Sequence, residues 1–187
     1  MFQLFRILKF ACVCAMLIAI SGPAAADEQP AAKGSVVLTV AGKVANWNRG
    51  PMAAARDTLF NQHKVTFKKA MAFDADMLGK LPAKELTLST PAGNGTFSGP
   101  ALSEVLKAAG AEEAGIRLLA LDGSTVELSA DDIKAREWIL VLSVDGKPVG
   151  IGDFGPLLLL NKPADGATPT KDELQQWVWS VFYIEVL

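Results

Sequence analysis

Few side chains in this chain of 187 residues are of the types that do chemistry near neutral pH. The single histidine, His63, lies in a polar, helix-like stretch with no nucleophile signature such as G-x-S-x-G around it. It reads as a solvated surface imidazole. Zinc and other transition metals favour sets of His and Cys, and the two cysteines, Cys12 and Cys14, fall in an N-terminal segment read below as removed. Asp74 and Asp76 suit the N-terminus of a helix better than a pair of acid/base carboxylates. Gly93, Gly95 and Gly99 follow one strand and open a helix in this reading, imitating a dinucleotide-binding turn, but their spacing departs from G-x-G-x-x-G. A turn that needs glycine backbone freedom is the simpler meaning.

The aromatic residues carry more information. Trp177 and Trp179 alternate in a terminal strand, which turns both rings to one face, with Phe182 and Ile184 on the opposite parity. Such a pair is either core or a stacking platform for a flat heterocycle.

The elements that position these residues follow from patterning. VVLTVAGKV from Val36 is β-branched and alternating, and Met52 to Phe73 reads as a helix followed by a strand. Asp74 caps a short helix to Leu81, and Glu85 to Thr90 is a strand running into the turn Pro91 to Gly95. Ser98 caps a helix over Pro100 to Ala109, whose apolar face is Leu102, Val105 and Leu106. Further strands are Ile116 to Leu121, Thr125 to Leu128, Trp138 to Val144, Pro156 to Leu160 and Trp179 to Val186, with tight turns at Asp122-Gly123 and Asp145-Gly146. Strands dominate without regular βαβ alternation, which predicts an α+β domain with a mixed, mainly antiparallel sheet.

The first residues predict export. Arg6 and Lys9 precede the apolar run Phe10 to Ile20, which is short of the ~20 residues of a stable anchor, and Ala24-Ala25-Ala26 offers an A-x-A site. Residues 1–26 are therefore expected to be a cleaved signal peptide, 27–35 a disordered leader, and 36–187 one periplasmic domain. With 18 basic and 20 acidic residues and no dense basic patch, nucleic acid is an unsuited partner.

The blocks FDADMLGKLP, LTLSTPAGNGTFSGPALSEVL, LLALDGSTVELSADDI, WILVLSVDGKPV, DFGPLLLLNKP and WVWSVFYIEVL together resemble the sulfite-oxidase-type molybdopterin-binding domain in its short periplasmic form, over roughly Val36 to Leu187. Catalytic members of that family hold molybdenum through a cysteine just before an A-G-N-like turn, where this chain has Pro91. They also place an arginine after a glycine-proline block, where this chain has Leu157. The resemblance extends to a branch of periplasmic regulators that bind a reduced pterin without molybdenum and control an inner-membrane cyclic-di-GMP cyclase or phosphodiesterase. Two departures from that branch are Ala92, where a tryptophan is common, and Gly152-Asp153-Phe154, where a basic residue is frequent.

What the resemblance implies is a non-catalytic, pterin-binding, molybdenum-free sensor module of cyclic-di-GMP signalling and biofilm formation. Its pocket would be formed by Thr90, Pro91, Gly93, Asn94 and Gly95 facing Asp153, Phe154, Gly155 and Pro156, with Trp177 beside them and Asp153 accepting hydrogen bonds from the pterin. The basic stretch Lys64 to Lys69, without an evident core role, is the candidate docking surface for the membrane partner. A molybdopterin-dependent oxidoreductase subunit and a ligand-free periplasmic interaction domain remain the alternatives.

Overall fold

The computed structural model describes residues 27–90 and 93–187. The expected signal peptide and Pro91 lie outside these residues. In chain order the first elements are β1 (Asp27–Glu28), β2 (Val36–Gly42), β3 (Asn46–Trp47), α1 (Thr58–Gln62), β4 (Ala70–Asp74) and α2 (Ala75–Gly79). Then come β5 (Ala83–Thr90), β6 (Gly93–Pro100), α3 (Leu102–Ala108), β7 (Ile116–Ala120), β8 (Thr125–Leu128) and α4 (Ala130–Ala135). The last are β9 (Trp138–Val141), β10 (Ser143–Val144), β11 (Lys147–Pro148), β12 (Leu158–Asn161), α5 (Lys171–Gln175) and β13 (Val181–Val186).

A five-stranded sheet in the order β4-β2-β13-β7-β8 is antiparallel except for the parallel pair β2 and β13. A four-stranded antiparallel sheet runs β11-β10-β6-β5, and β12 pairs with β9. The sheet-rich α+β architecture with short helices is as the sequence predicts.

The β9–β12 pair is a wall between two cores. Leu140 and Leu159 face the larger core with Leu38, Val40, Leu102, Leu106 and Ile184. Their neighbours Ile139, Val141, Leu158 and Leu160 face a smaller core with Leu86, Leu88 and Phe97. Both faces of these strands are buried, so they read as continuous apolar runs instead of alternating ones. A third cluster, Ala41, Phe60, Leu119, Phe182 and Tyr183, lies on the other face of the five-stranded sheet beneath the segment carrying Met52, Val65 and Phe67. Lys64 to Lys69 therefore has a core role that the charge pattern hid. Val65 and Phe67 pack inward while Lys64, Thr66 and Lys68 stay exposed.

Three local readings are corrected. Gly93 to Pro100 is strand β6 of a hairpin with β5, not a glycine turn before a helix, and α3 begins at Leu102 behind Ala101, which makes no side-chain cap. Phe182 and Ile184 do not share a face, because a bulge between Val181 and Tyr183 puts Phe182 in the third cluster and Ile184 in the first. The segment 27–35 is tied down where disorder was expected: Asp27–Glu28 pairs with Asn46–Trp47, and Lys33 and Gly34 donate their N–H groups to Asp74 Oδ2 at 2.9 and 2.8 Å.

Asp74 does two jobs, since its Oδ1 also accepts from Met77 N at 2.8 Å and caps α2 as the sequence suggests. The Gly34 N–H, followed by that of Met77, holds its carboxyl below the ordinary value of 3.8. A carboxylate depressed in the fold stabilises it above the unfolded pKa and loses that contribution as pH falls through the folded one. Asp74→Ala should therefore melt below the parent at neutral pH, and the gap should close as pH drops through and below 3.8. Melting curves of both proteins across acid pH check this; a gap constant with pH would disprove the assignment.

Candidate functional site

At the end of the small core, beside the Thr90–Gly93 end of the β5–β6 hairpin, lies a cavity of about 200 Å³ lined by Thr90, Phe97, Phe154, Leu158, Leu174, Trp177 and Trp179. Each element contributes by its pattern. Alternation along β6 turns Phe97 inward opposite Leu86, β12 supplies Leu158, and α5 supplies Leu174. The helix α5 is set by a reciprocal cap in which Thr170 Oγ1 accepts from Glu173 N and the Glu173 carboxylate accepts from Thr170 N.

The tryptophans are held by the backbone between them. Val178 exchanges two hydrogen bonds with Leu159 of β12, and Ser180 N donates to Phe154 O at 3.0 Å. This bridge precedes β13, so Trp177 and Trp179 are not in the terminal strand, yet both line the same cavity as their parity suggests. Trp177 Nε1 donates at 3.2 Å to Oδ1 of Asn161, which is fully buried, and this fixes the indole plane. Its ring meets Phe97 edge-on at 6.3 Å between centroids, and Phe154 meets Trp179 edge-on at 5.2 Å. Trp179 is 54% exposed, so one wall of the cavity is open to solvent.

Of the residues picked from sequence, Thr90, Phe154 and Trp177 meet here. Thr90 Oγ1 donates to Gly93 O at 2.8 Å across the hairpin end. Gly93 and Asn94 are exposed near the tip, and Gly95 is buried against Val144. Asp153 is exposed and does not line the cavity. The 150–156 loop folds back through Gly155 N to Gly150 O, so Phe154 turns toward the cavity while Pro156 lines a different concavity. Phe97, Leu158 and Leu174 were not picked. Phe97 was hidden by reading its strand as a helix approach, and Leu174 by missing the helix that carries it.

The lining offers aromatic faces and one hydroxyl, with no Asp, Glu, His, Cys, Lys or Arg among its residues. It can hold a flat ring against aromatic faces, but among the described lining residues no group transfers a proton at neutral pH. A pterin ring suits these faces in shape, whereas a molybdenum ion finds no thiolate among the lining residues. His63 is elsewhere and only half-exposed, its ring 5.5 Å from that of Phe182. The sole tyrosine, Tyr183, lies near it, and burial, with the Glu185 charge adding to it, pushes its phenol up to about 12.

No family model matches the chain, and no curated protein matches it. Among solved structures, the sulfane dehydrogenase SoxCD of Paracoccus pantotrophus superposes with a TM-score of 0.51 at 13% identity, over 81% of this chain and 38% of that one. The chain thus spans well under half the length of that protein. At this identity the likeness is one of fold alone: the chain has a distant molybdopterin-oxidoreductase-like fold of the sulfite-oxidase type.

Proposed function

We propose that this protein is a binding module for a flat heterocycle, with a reduced pterin as the ligand, and that it does no chemistry on it. The observation that carries this reading is the cavity itself: Phe97, Phe154, Trp177 and Trp179 surround it and no titratable side chain lines it. Aromatic faces hold π-systems by stacking, while acid/base or nucleophilic catalysis needs paired polar groups within reach. The sequence resemblance to molybdenum-free pterin regulators supports the same choice, as does Pro91 at the position of the family's metal-binding cysteine.

In this reading the protein works in the periplasm, and ligand occupancy is its signal, read by an inner-membrane cyclic-di-GMP cyclase or phosphodiesterase that binds occupied and empty forms unequally. Protein purified from its native source and then denatured should release a fluorescent compound of pterin mass at about one per chain. Pull-down from native membranes should recover the cyclase or phosphodiesterase. Release of no heterocycle, together with no binding of added dihydropterin, would overturn the reading. About one molybdenum per chain by elemental analysis would favour the oxidoreductase alternative, the activity class in the name of the SoxCD dehydrogenase.

A further inference from the structure

Among the described residues, every strand edge of this fold but one is short or covered. Arg49 exchanges two backbone hydrogen bonds with Ala70 along the outer side of β4, and the Asn48 side chain bonds Ala72 beside it. Val178 covers β12 in the same way at Leu159, and Ala101 bridges to β9 at Ile139. At the remaining edges β8 has four residues, and β11 has two and ends on Pro148. The exception is β5. It is eight residues long, has no proline, keeps unbroken register with β6 and has no strand on its other side. A long, regular edge of this kind is a template for an added strand.

The direction of its backbone groups follows from its neighbours. Pro100, which has no N–H, stands opposite Ala83, while Thr96 and Ser98 accept through their carbonyls from Asp145 N and Leu142 N on the far side of β6. Their partners across the hairpin, Thr87 and Glu85, therefore turn N–H and C=O away from β6. Ser89, two residues on, shows the same direction, its N–H donating outward to Ala167 O at 2.9 Å. That contact closes one end of the edge. Glu85 and Thr87 are exposed, and their backbone groups have no partner beyond it among the described residues.

Parity and charge define what fits there. Leu86 and Leu88 face the small core while Glu85 and Thr87 face solvent, so an added strand needs apolar side chains alternating with polar ones. Lys84 is already paired with Glu137 at 3.2 Å. Glu85 has no ion pair among the described residues, so a lysine or arginine belongs opposite it. A second copy of this chain fits poorly. Antiparallel self-pairing centred on Lys84 or on Glu85 sets like charges opposite one another, which is destabilising. Centred on Leu86, it lays the copy's Ala83 against Ser89, where Ala167 already stands.

We propose that the 83–87 edge of β5 takes up an extended, basic segment of a partner protein as an antiparallel strand, with apolar side chains on the Leu86 face and a lysine or arginine opposite Glu85. This docking needs no ligand in the aromatic cavity. The probe is the acetylated, amidated peptide VTVKV, which sets its threonine opposite Thr87 and its lysine opposite Glu85, titrated into the purified protein while backbone amides are followed by NMR. The Glu85 and Thr87 amides should shift, and VTVKV should bind about threefold or more tightly than VTVEV. In Glu85→Lys that order should reverse. N-methylation of the peptide's threonine and lysine, whose amides face β5, should abolish binding, and N-methylation of its central and last valines should not. Thr87→Pro removes an N–H outside the ladder, a change that an edge strand tolerates. It should lose the peptide while keeping the parent's circular dichroism spectrum.

No binding of VTVKV at millimolar peptide, VTVEV binding as tightly, or valine methylation as damaging as that of threonine and lysine would overturn the proposal. So would shifts confined to Phe97, Trp177 and Trp179, or a peptide-free dimer that Thr87→Pro abolishes.

Discussion

Gly99→Ala should unfold this protein or leave it with a small fraction of its stability. The position is the crossing of two backbones. Gly99 pairs with Lys84 in the β5–β6 hairpin while its α-carbon faces β9, so an added β-carbon would stand 1.9 Å from Leu140 O and 2.9 Å from Val141 Cα. Neither is the end of a flexible side chain that could rotate away. Leu142 N donates to Ser98 O at 2.8 Å beside it, and Ala101 bridges to Ile139, so the strands are fastened on both sides of the contact.

Relief would require β6 to part from β9. That opens the small core between Leu86, Leu88 and Phe97 on one side and Ile139, Val141 and Leu158 on the other, and pulls Phe97 from the cavity wall. Overpacking against side chains costs ~1–3 kcal/mol, and a backbone collision belongs at or beyond the top of that range. Gly79→Ala at the end of α2 is the control, because its β-carbon meets nothing within 4 Å and alanine is the better helix former by ~1 kcal/mol. Urea denaturation should show Gly79→Ala at or above the parent midpoint. A Gly99→Ala midpoint matching the parent would refute the crossing argument.

The same glycine shows where sequence reasoning stopped. Reading glycine as turn freedom is sound where φ is positive, and Gly123 and Gly146 obey it at the two predicted turns. Gly95 and Gly99 are glycines because another chain segment passes close by, a long-range cause that no local window contains. The strands Val36–Gly42 and Thr125–Leu128 were legible because periodicity of two and β-branching suffice for them. Helices α4 and α5 were legible too, and missed: Ser129 to Asp132 and Thr170 to Glu173 are both reciprocal caps with an acidic partner three residues on.

For the site, parity placed Trp177 and Trp179 together correctly. What brings them to Phe97 and Phe154 is the fold of a loop and a hairpin, which composition does not encode. Asp153 lies outside the cavity lining for the opposite reason. Its polarity suited a pterin, but whether a side chain on the 150–156 loop faces inward is decided by how the loop closes, through Gly155 N and Gly150 O.

The two tryptophans should separate when they are mutated, and this gives the sharpest test of the cavity. Trp179 is half-exposed, with no hydrogen bond from its indole nitrogen among the described residues, so its stacking face is most of what Ala would remove. Loss of one such face costs ~1–3 kcal/mol in binding a flat base. Trp179→Ala should weaken dihydropterin by ~10-fold or more while the melting temperature stays near that of the parent. Trp177 is different because the buried Asn161 Oδ1 depends on its N–H. Trp177→Phe keeps an aromatic wall but strands that carbonyl, at a cost of ~1–3 kcal/mol. It should lower the melting temperature clearly while weakening the ligand less than Trp179→Ala does. Fluorescence titration and thermal melts of both variants check the crossed pattern. If Trp179→Ala binds dihydropterin as the parent does, the ring is surface decoration and the cavity is not a pterin site.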